Sequence, residues 1–331
     1  MLFPTKHIRM NPKVSILIPV YKSELFIEQC IRSVLSQSYK NIEYIVVNDA
    51  SPDLSIDIAM RIVQEYPQRK KSISFINNQT NKGIVFNRNL LVEKATGDYV
   101  YFVDSDDELA PDAVEKLVSA ALENHADIVR SNYYEISNSG IAEKVLFPYQ
   151  DKKEFLLYQL SAWDSIQAMW QMLIRRDLFI KHQLLFMEGT DGCEDYLMTI
   201  YLTYFAKKIV DLKWSPVYYY RKNNTNSLTC VNKLRFRKSM CKAAEGAFYF
   251  LKERQLEKEY LEAIMQRIFL CKQAFLLDND LFDLKTYYTF FPESNHYWQS
   301  KSYPFKQRIL FKLADRHYSF LIRLIKMLDK R

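Results

Sequence analysis

The 331-residue chain predicts an α/β fold, a mainly parallel sheet with helices on both faces, followed by a helical C-terminal region. Three observations carry this. Short, fully apolar runs recur through the first third, as buried parallel strands require. Between them lie stretches with the 3.6-residue period of helices facing a core. After Asn232 strand patterns largely disappear and long helical ones take over.

The elements follow in order. Val14–Val20 reads as the first strand, and Glu24–Ser36 as a helix whose inward face holds Leu25, Ile27, Cys30, Ile31, Val34 and Leu35. Tyr44–Asp49 is the second strand, ending in the turn Ala50-Ser-Pro-Asp53. Asp53 is placed to cap the helix Leu54–Tyr66. Strand Ile73–Ile76, helix Ile84–Ala95, a Thr-Gly-Asp turn and strand Tyr99–Val103 complete this series. A helix over Ala113–Asn124, a strand over Asp127–Tyr134 and mixed short elements from Trp163 to Tyr220 come next. Phe236–Leu277 and Phe305–Leu328 read as helical, and a soft boundary falls near residue 231.

Composition excludes several classes. Only six glycines are present and no GxGxxG or GxxxxGK[ST] occurs, so dinucleotide and P-loop readings lose their support. Five scattered cysteines without a CxxC pair argue against structural zinc or a disulfide framework, and fit a reducing compartment. No GxSxG elbow or HExxH helix appears, and the five histidines are isolated. The N-terminus lacks the apolar core of a secretory signal and no apolar run is long enough to span a bilayer, so a cytoplasmic protein is expected. Net charge is +7, but residues 305–331 hold eight basic and two acidic side chains, leaving the rest near neutral. That distribution argues against a nucleic-acid groove. The basic, amphipathic tail suits either an anionic membrane surface or a packed helix with a solvated face.

In open parallel sheets, ligands bind beyond the carboxyl ends of the strands. There the sequence places Pro19-Val-Tyr21, then Asn48-Asp49-Ala-Ser51, then Asp104-Ser105-Asp106-Asp107. Side chains at i and i+2 of an extended segment point the same way, so Asp104 and Asp106 can address one hard cation, Mg²⁺ or Mn²⁺. An acidic turn capping the following helix is the competing reading.

The blocks Ser15–Tyr21, Cys30–Tyr39, Ile45–Ser51, Asn81–Gly83, Asn87–Asn89, Ala95–Asp98 and Phe102–Asp107 resemble glycosyltransferase family 2, inverting enzymes of the GT-A fold. They stand in the family's order across residues 13–118. Asn48 and Ala50 depart from its usual Asp and Gly. The resemblance implies a nucleotide pocket lined by Pro19 and Tyr21. It makes Asp49 an acceptor for base or ribose, and places Arg88 near the diphosphate or sugar. Asp104 and Ser105 lie at the donor, and Asp106 is the principal metal ligand with Asp104 and Asp107 beside it.

Sugar transfer with inversion needs a base for the acceptor hydroxyl. Gly189-Thr-Asp-Gly-Cys-Glu194-Asp195 occupies the place of the family's Glu-Asp loop. The resemblance makes Asp195 the base and Glu194 its neighbour, with Glu188 and Asp191 lesser candidates. Acidic residues in a helix's first turn are also ordinary capping. Trp170–Arg176 resembles the family's Trp-x-x-Leu-x-Arg-Arg segment, with Trp170 a candidate sugar platform or a core residue. Tyr218–Arg221 with Asn226-Ser227 resembles a later segment, and implies that Arg221 closes over the diphosphate.

The expectation is a GT-A domain over residues 10–230, divided into a nucleotide-sugar half (10–118) and an acceptor and base half (119–230). A helical region with a basic tail follows over 231–331. Its expected partners are a nucleotide-diphospho-sugar, with UDP the leading nucleotide, and a glycan or lipid-linked acceptor of surface polysaccharide synthesis. Two rivals stand beside it. A nucleotidyltransferase on a similar sheet would carry a Gly-rich basic loop after the first strand, which is missing. A non-catalytic nucleotide-sugar-binding scaffold would not need both acidic sets.

Overall fold

The computed structural model describes residues 11–161, 168–212, 216–222, 232–300 and 303–328. Its first sheet has seven strands in the order β10-β6-β9-β4-β1-β2-β3. They are β1 (Val14–Val20), β2 (Ile42–Asn48), β3 (Ile73–Asn77), β4 (Tyr99–Phe102), β6 (Ile128–Ser131), β9 (Met172–Arg175) and β10 (Ile209–Leu212). Only β9 runs against the others. A smaller sheet, β5-β11-β7-β8, joins β5 (Glu108–Leu109), β11 (Tyr218–Arg221), β7 (Tyr133–Ser137) and β8 (Gly140–Lys144).

Why the first strands are apolar throughout is clear from the layers. All seven residues of β1 are buried. Ile16, Ile18 and Val20 pack with α1 (Ile27–Leu35), α2 (Ser55–Gln64) and α4 (Ala113–Asn124) on one face. Leu17 joins Val47, Leu91 and Phe102 under α3 (Ile84–Lys94) on the other. Each such side chain stabilises the fold by about 1.5–3 kcal/mol. Asp53 acts at the start of α2 as expected: its Oδ1 accepts from the Ser55 backbone N–H at 3.2 Å and the Ser55 hydroxyl at 2.6 Å.

Three expectations need correction. The single strand over Asp127–Tyr134 is two strands in different sheets, β6 and β7, parted at Asn132, whose Oδ1 accepts from Leu146 N. The helical stretch from Phe236 to Leu277 begins earlier and is three helices: α8 (Lys233–Glu253), α9 (Leu261–Lys272) and α10 (Ala274–Leu277). The tail is two helices, α12 (Phe305–Asp315) and α13 (Ser319–Leu328), separated at His317, which has φ +57°.

A further core gathers α5 (Lys152–Ser161), α7 (Glu194–Phe205), α8, α9 and the tail, through Leu160, Leu197, Ile200, Ile268, Phe311 and Ile322. Helix α7 belongs to two cores at once. Met198 and Leu202 face the sheet, while Tyr196, Leu197 and Ile200 face the C-terminal helices. The region after residue 231 therefore shares its core with residues before it. Among the described residues no helix is long and apolar enough to cross a membrane.

Candidate functional site

The loops after β1, β2 and β4 meet at one rim and are stitched together by small hydroxyls. Lys22 N donates to Ser51 Oγ at 2.7 Å, Ser23 N to Ser55 Oγ at 2.9 Å, and the Ser23 and Ser105 hydroxyls pair at 2.5 Å. Pro19 is buried in β1, whereas Tyr21 stands 40% exposed at the strand's end. A cavity of about 200 Å³ opens beside it, between Lys22–Phe26 and Pro52-Asp53.

Asp49 is buried and organises the next loop. Its Oδ1 accepts from Asn78 Nδ2 at 2.9 Å and Lys82 N at 2.7 Å, and its Oδ2 from Gly83 N at 2.9 Å. Gly83 has φ +86°, and a Cβ there would lie 2.6 Å from Asp191 Oδ1. This glycine thus meets two demands, a left-handed turn and the close approach of the loop that leads to Asp195.

The four residues after β4 divide into two roles. Asp104 and Asp106 are partly exposed, while Asp107 is buried. Asp107 takes a hydrogen bond from the Tyr218 hydroxyl at 2.8 Å and from Arg221 N at 2.7 Å. Burial, with Asp106 and Asp104 adding, pushes its carboxyl well above the ordinary range. Each of its oxygens accepts one hydrogen bond from inside the protein, so Asp107 braces the turn. Tyr218 ties the turn further by accepting from Asp104 N at 3.1 Å.

Arg221 belongs to the same turn. Its Nε donates to the Asp106 carbonyl at 3.1 Å and its Nη2 to Glu108 Oε1 at 2.7 Å, with Phe26 under the guanidinium. These bonds pin the expected diphosphate flap to the turn. Asn226 and Ser227 lie outside the described residues. Trp170 is buried in an aromatic stack, 4.4 Å from the Tyr218 ring centroid and 5.3 Å from that of Tyr220. The core reading of Trp170 prevails over the sugar platform.

The two halves meet at Arg88. Its side chain is 4% exposed and its guanidinium lies against the rings of Phe102 and Phe186, 5.6 and 5.7 Å from their centroids. Nη2 reaches Asp104 Oδ1 at 3.4 Å, Nε reaches Glu194 Oε1 at 3.6 Å, and Nη1 pairs with Asp195. A buried guanidinium needs such partners, because an uncompensated charge inside a protein is costly. Asp195 Oδ2 also accepts from Met169 N at 3.1 Å, and Glu194 Oε2 from Gly192 N at 2.6 Å. Burial, with Asp104 adding and Arg88 opposing, raises the Glu194 carboxyl above its usual range. Arg88 therefore joins the donor rim to the acidic start of α7, a role its position on a helix did not announce. The strut made by Tyr218 was also missed, since nothing local marks one tyrosine among Tyr218–Tyr220.

Does the acidic rim suit a divalent cation? Among the described residues no three His, Cys, Asp or Glu side chains converge as a metal cage. Mg²⁺ binds through one or two carboxylates plus substrate phosphates, and the partly exposed Asp104 and Asp106 are carboxylates of that kind at the rim.

Comparison with known proteins identifies relatives of this chain. The family model described as Glycosyl transferase family 2 matches residues 15–182. EpsH of Bacillus subtilis (strain 168), named as a glycosyltransferase, is 30% identical over 254 residues, covering 75% of this chain and 72% of EpsH. The crystal structure of S. aureus TarS 1–349 aligns with TM-score 0.65 and 20% identity over 93% of this chain and 91% of that one. It has also been solved with UDP and with UDP-GlcNAc. Mannosyltransferase PcManGT from Pyrobaculum calidifontis, in complex with GDP-Man and Mn²⁺, aligns with TM-score 0.50 and 15% identity over 97% of this chain and 88% of its own. The solved structures establish a shared GT-A architecture, and the family match and EpsH together place this chain in glycosyltransferase family 2.

Proposed function

We propose that the protein transfers a sugar with inversion from a UDP-sugar to a hydroxyl of a glycan or lipid-linked acceptor, with Asp195 as the base. The carrying observation is the convergence of Asp104, Glu194 and Asp195 on one buried guanidinium, which joins a donor rim to a candidate base. The acceptor oxygen attacks the anomeric carbon as the bond to the diphosphate breaks, and Asp195 takes the hydroxyl proton. Met169 N and Arg88 hold the Asp195 carboxylate in one orientation beforehand. Arg88 also places positive charge next to Asp104, where negative charge grows on the leaving diphosphate. Asp104 and Asp106 would hold Mn²⁺ or Mg²⁺, which supplies further neutralisation of that charge when bound. UDP as the nucleotide is supported by the TarS complexes, and Mn²⁺ by that of PcManGT.

Calorimetry with UDP, with and without Mn²⁺, tests the donor side. Metal-enhanced binding is expected in the wild type and its loss in Asp106→Ala. Asp195→Asn is expected to keep UDP binding and lose transfer; retained transfer would remove Asp195 from the mechanism.

The tail supports contact with an anionic membrane. Phe320, Leu321, Leu324, Met327 and Leu328 are exposed on α13, with Arg323 among them. Leu310, Phe311 and Ile322 are core residues, so deleting residues 305–331 would open the fold. The sounder test is Phe320→Gln with Leu324→Gln. Unchanged binding of this variant to phosphatidylglycerol vesicles would sink the idea.

A further inference from the structure

Helix α8 carries a charge pattern that the donor site and the base leave unexplained. Arg235, Lys238 and Lys242 stand at i, i+3 and i+7, so they share one face. That face looks onto the loop running into Asp195. Arg235 Nη2 lies 3.4 Å from Asp191 Oδ2, and Lys242 Nζ lies where it would be 2.8 Å from a Cβ at Gly189. Gly189 has φ +77°, so glycine both permits the turn and makes room for the ammonium. A cavity of about 390 Å³ opens here, lined by Gly189, Asp191, Asn232, Leu234, Arg235 and Lys238.

Among the described residues Arg235 has the single carboxylate of Asp191 as ion-pair partner, and neither Lys238 nor Lys242 has one within 4 Å. Lys238 also lies within the field of Asp283. No acid stands in the first turn of α8, where Arg235 also opposes the helix dipole. An anion in the cavity would offset both costs. Asp191 marks the limit of the donor half: its Oδ1 crowds Gly83 and its Oδ2 faces Arg235.

We propose that this cavity binds a phosphate group of the acceptor, so that the accepting hydroxyl belongs to a phosphate-bearing glycan, polyol or lipid. The assignment rests on Asp195 being the base, because Gly189 and Asp191 lie in the loop that delivers it. Compact ammonium groups and an arginine fork suit phosphate oxygens. A neutral sugar would leave the stripe uncompensated.

The test uses the full chain saturated with UDP and Mg²⁺, titrated by calorimetry with farnesyl monophosphate and separately with a glycerol phosphate trimer. The wild type is expected to bind at least one of them, more weakly as salt rises. Arg235→Gln/Lys238→Gln, at two exposed positions, is expected to lose at least tenfold in that affinity with UDP affinity unchanged. Tighter binding of the farnesyl compound assigns a lipid phosphate; tighter binding of the trimer assigns a polyol phosphate. Wild-type-like anion binding by the double variant overturns the proposal. So does a parallel loss of UDP affinity, which would give the stripe to the donor diphosphate. UDP binding without anion binding overturns this inference alone, whereas failure to bind UDP overturns the donor reading and this with it.

Discussion

The rim beyond β2 and β4 and the loop into the proposed base are both acidic, yet they are held in different ways. At the rim, neighbouring segments supply several hydrogen bonds to the two buried carboxylates: three N–H groups for Asp49, a hydroxyl and a backbone N–H for Asp107. At the start of α7, Asp195 and Glu194 have one close backbone donor each and share Arg88. Redundant hydrogen bonding makes a scaffold tolerant of single losses. Shared long-range charge makes a site that one substitution can dismantle.

Arg88→Met breaks that comparison most directly. Removing the cation leaves Glu194 and Asp195 without their counter-charge, and a loss of about 3–5 kcal/mol is expected in urea unfolding. Transfer should fall by on the order of 10²-fold or more, as when a charge-stabilising donor is removed. Arg88→Lys should recover part of the stability but not the three-way geometry. A fully stable Arg88→Met protein would mean the carboxylates have other compensation.

Tyr218→Phe comes next and probes the rim. The Asp107 oxygen and Asp104 N–H lose the hydroxyl between them, at a cost of about 1–3 kcal/mol by thermal or denaturant unfolding. Gly83→Ala should cost about 1–3 kcal/mol through its left-handed φ and its crowding of Asp191. It should also weaken UDP binding, because the Asp49 loop moves; unchanged affinity would detach that loop from the donor.

The smallest effects concern pH, and the first lies away from the site. Burial pushes the Glu43 carboxyl up, but the Lys13 ammonium and the Ser15 and Thr96 donors outweigh it and bring it down to about 2. A carboxylate depressed on folding stabilises the protein above its unfolded value, about 4, and that contribution is lost as pH falls towards about 2. Glu43→Gln should therefore flatten the acid limb of a stability–pH profile. Glu194, raised on folding, has the opposite sign: its contribution is present below the unfolded value and declines as pH rises through the folded one. Glu194→Gln should raise stability at neutral pH relative to acid.

How much of this was legible follows from the same contrast. The strands of the donor half, and the acids at their ends, are readable because apolar runs and terminal aspartates are local in sequence. The break at Asn132 was not, because Ile128–Ser131 and Tyr133–Ser137 form one β-prone run whose halves choose different sheets through distant partners. Arg88 and Asp195 could be named as candidates, but their pairing joins positions far apart in the chain. The surroundings of Asp107 and Trp170 were not legible, because a motif conveys residue type and not the direction in which a side chain turns.

Helix α7 lies between two cores, and that limits how the protein can be recombined with its relatives. A chimera cut near residue 231, keeping everything before it and importing a foreign C-terminal region, would present Tyr196, Leu197 and Ile200 to an unmatched surface. The misfit would fall on the helix whose first turn carries Glu194 and Asp195. Acceptor specificity is better exchanged by transplanting α7 together with the helices that grip it.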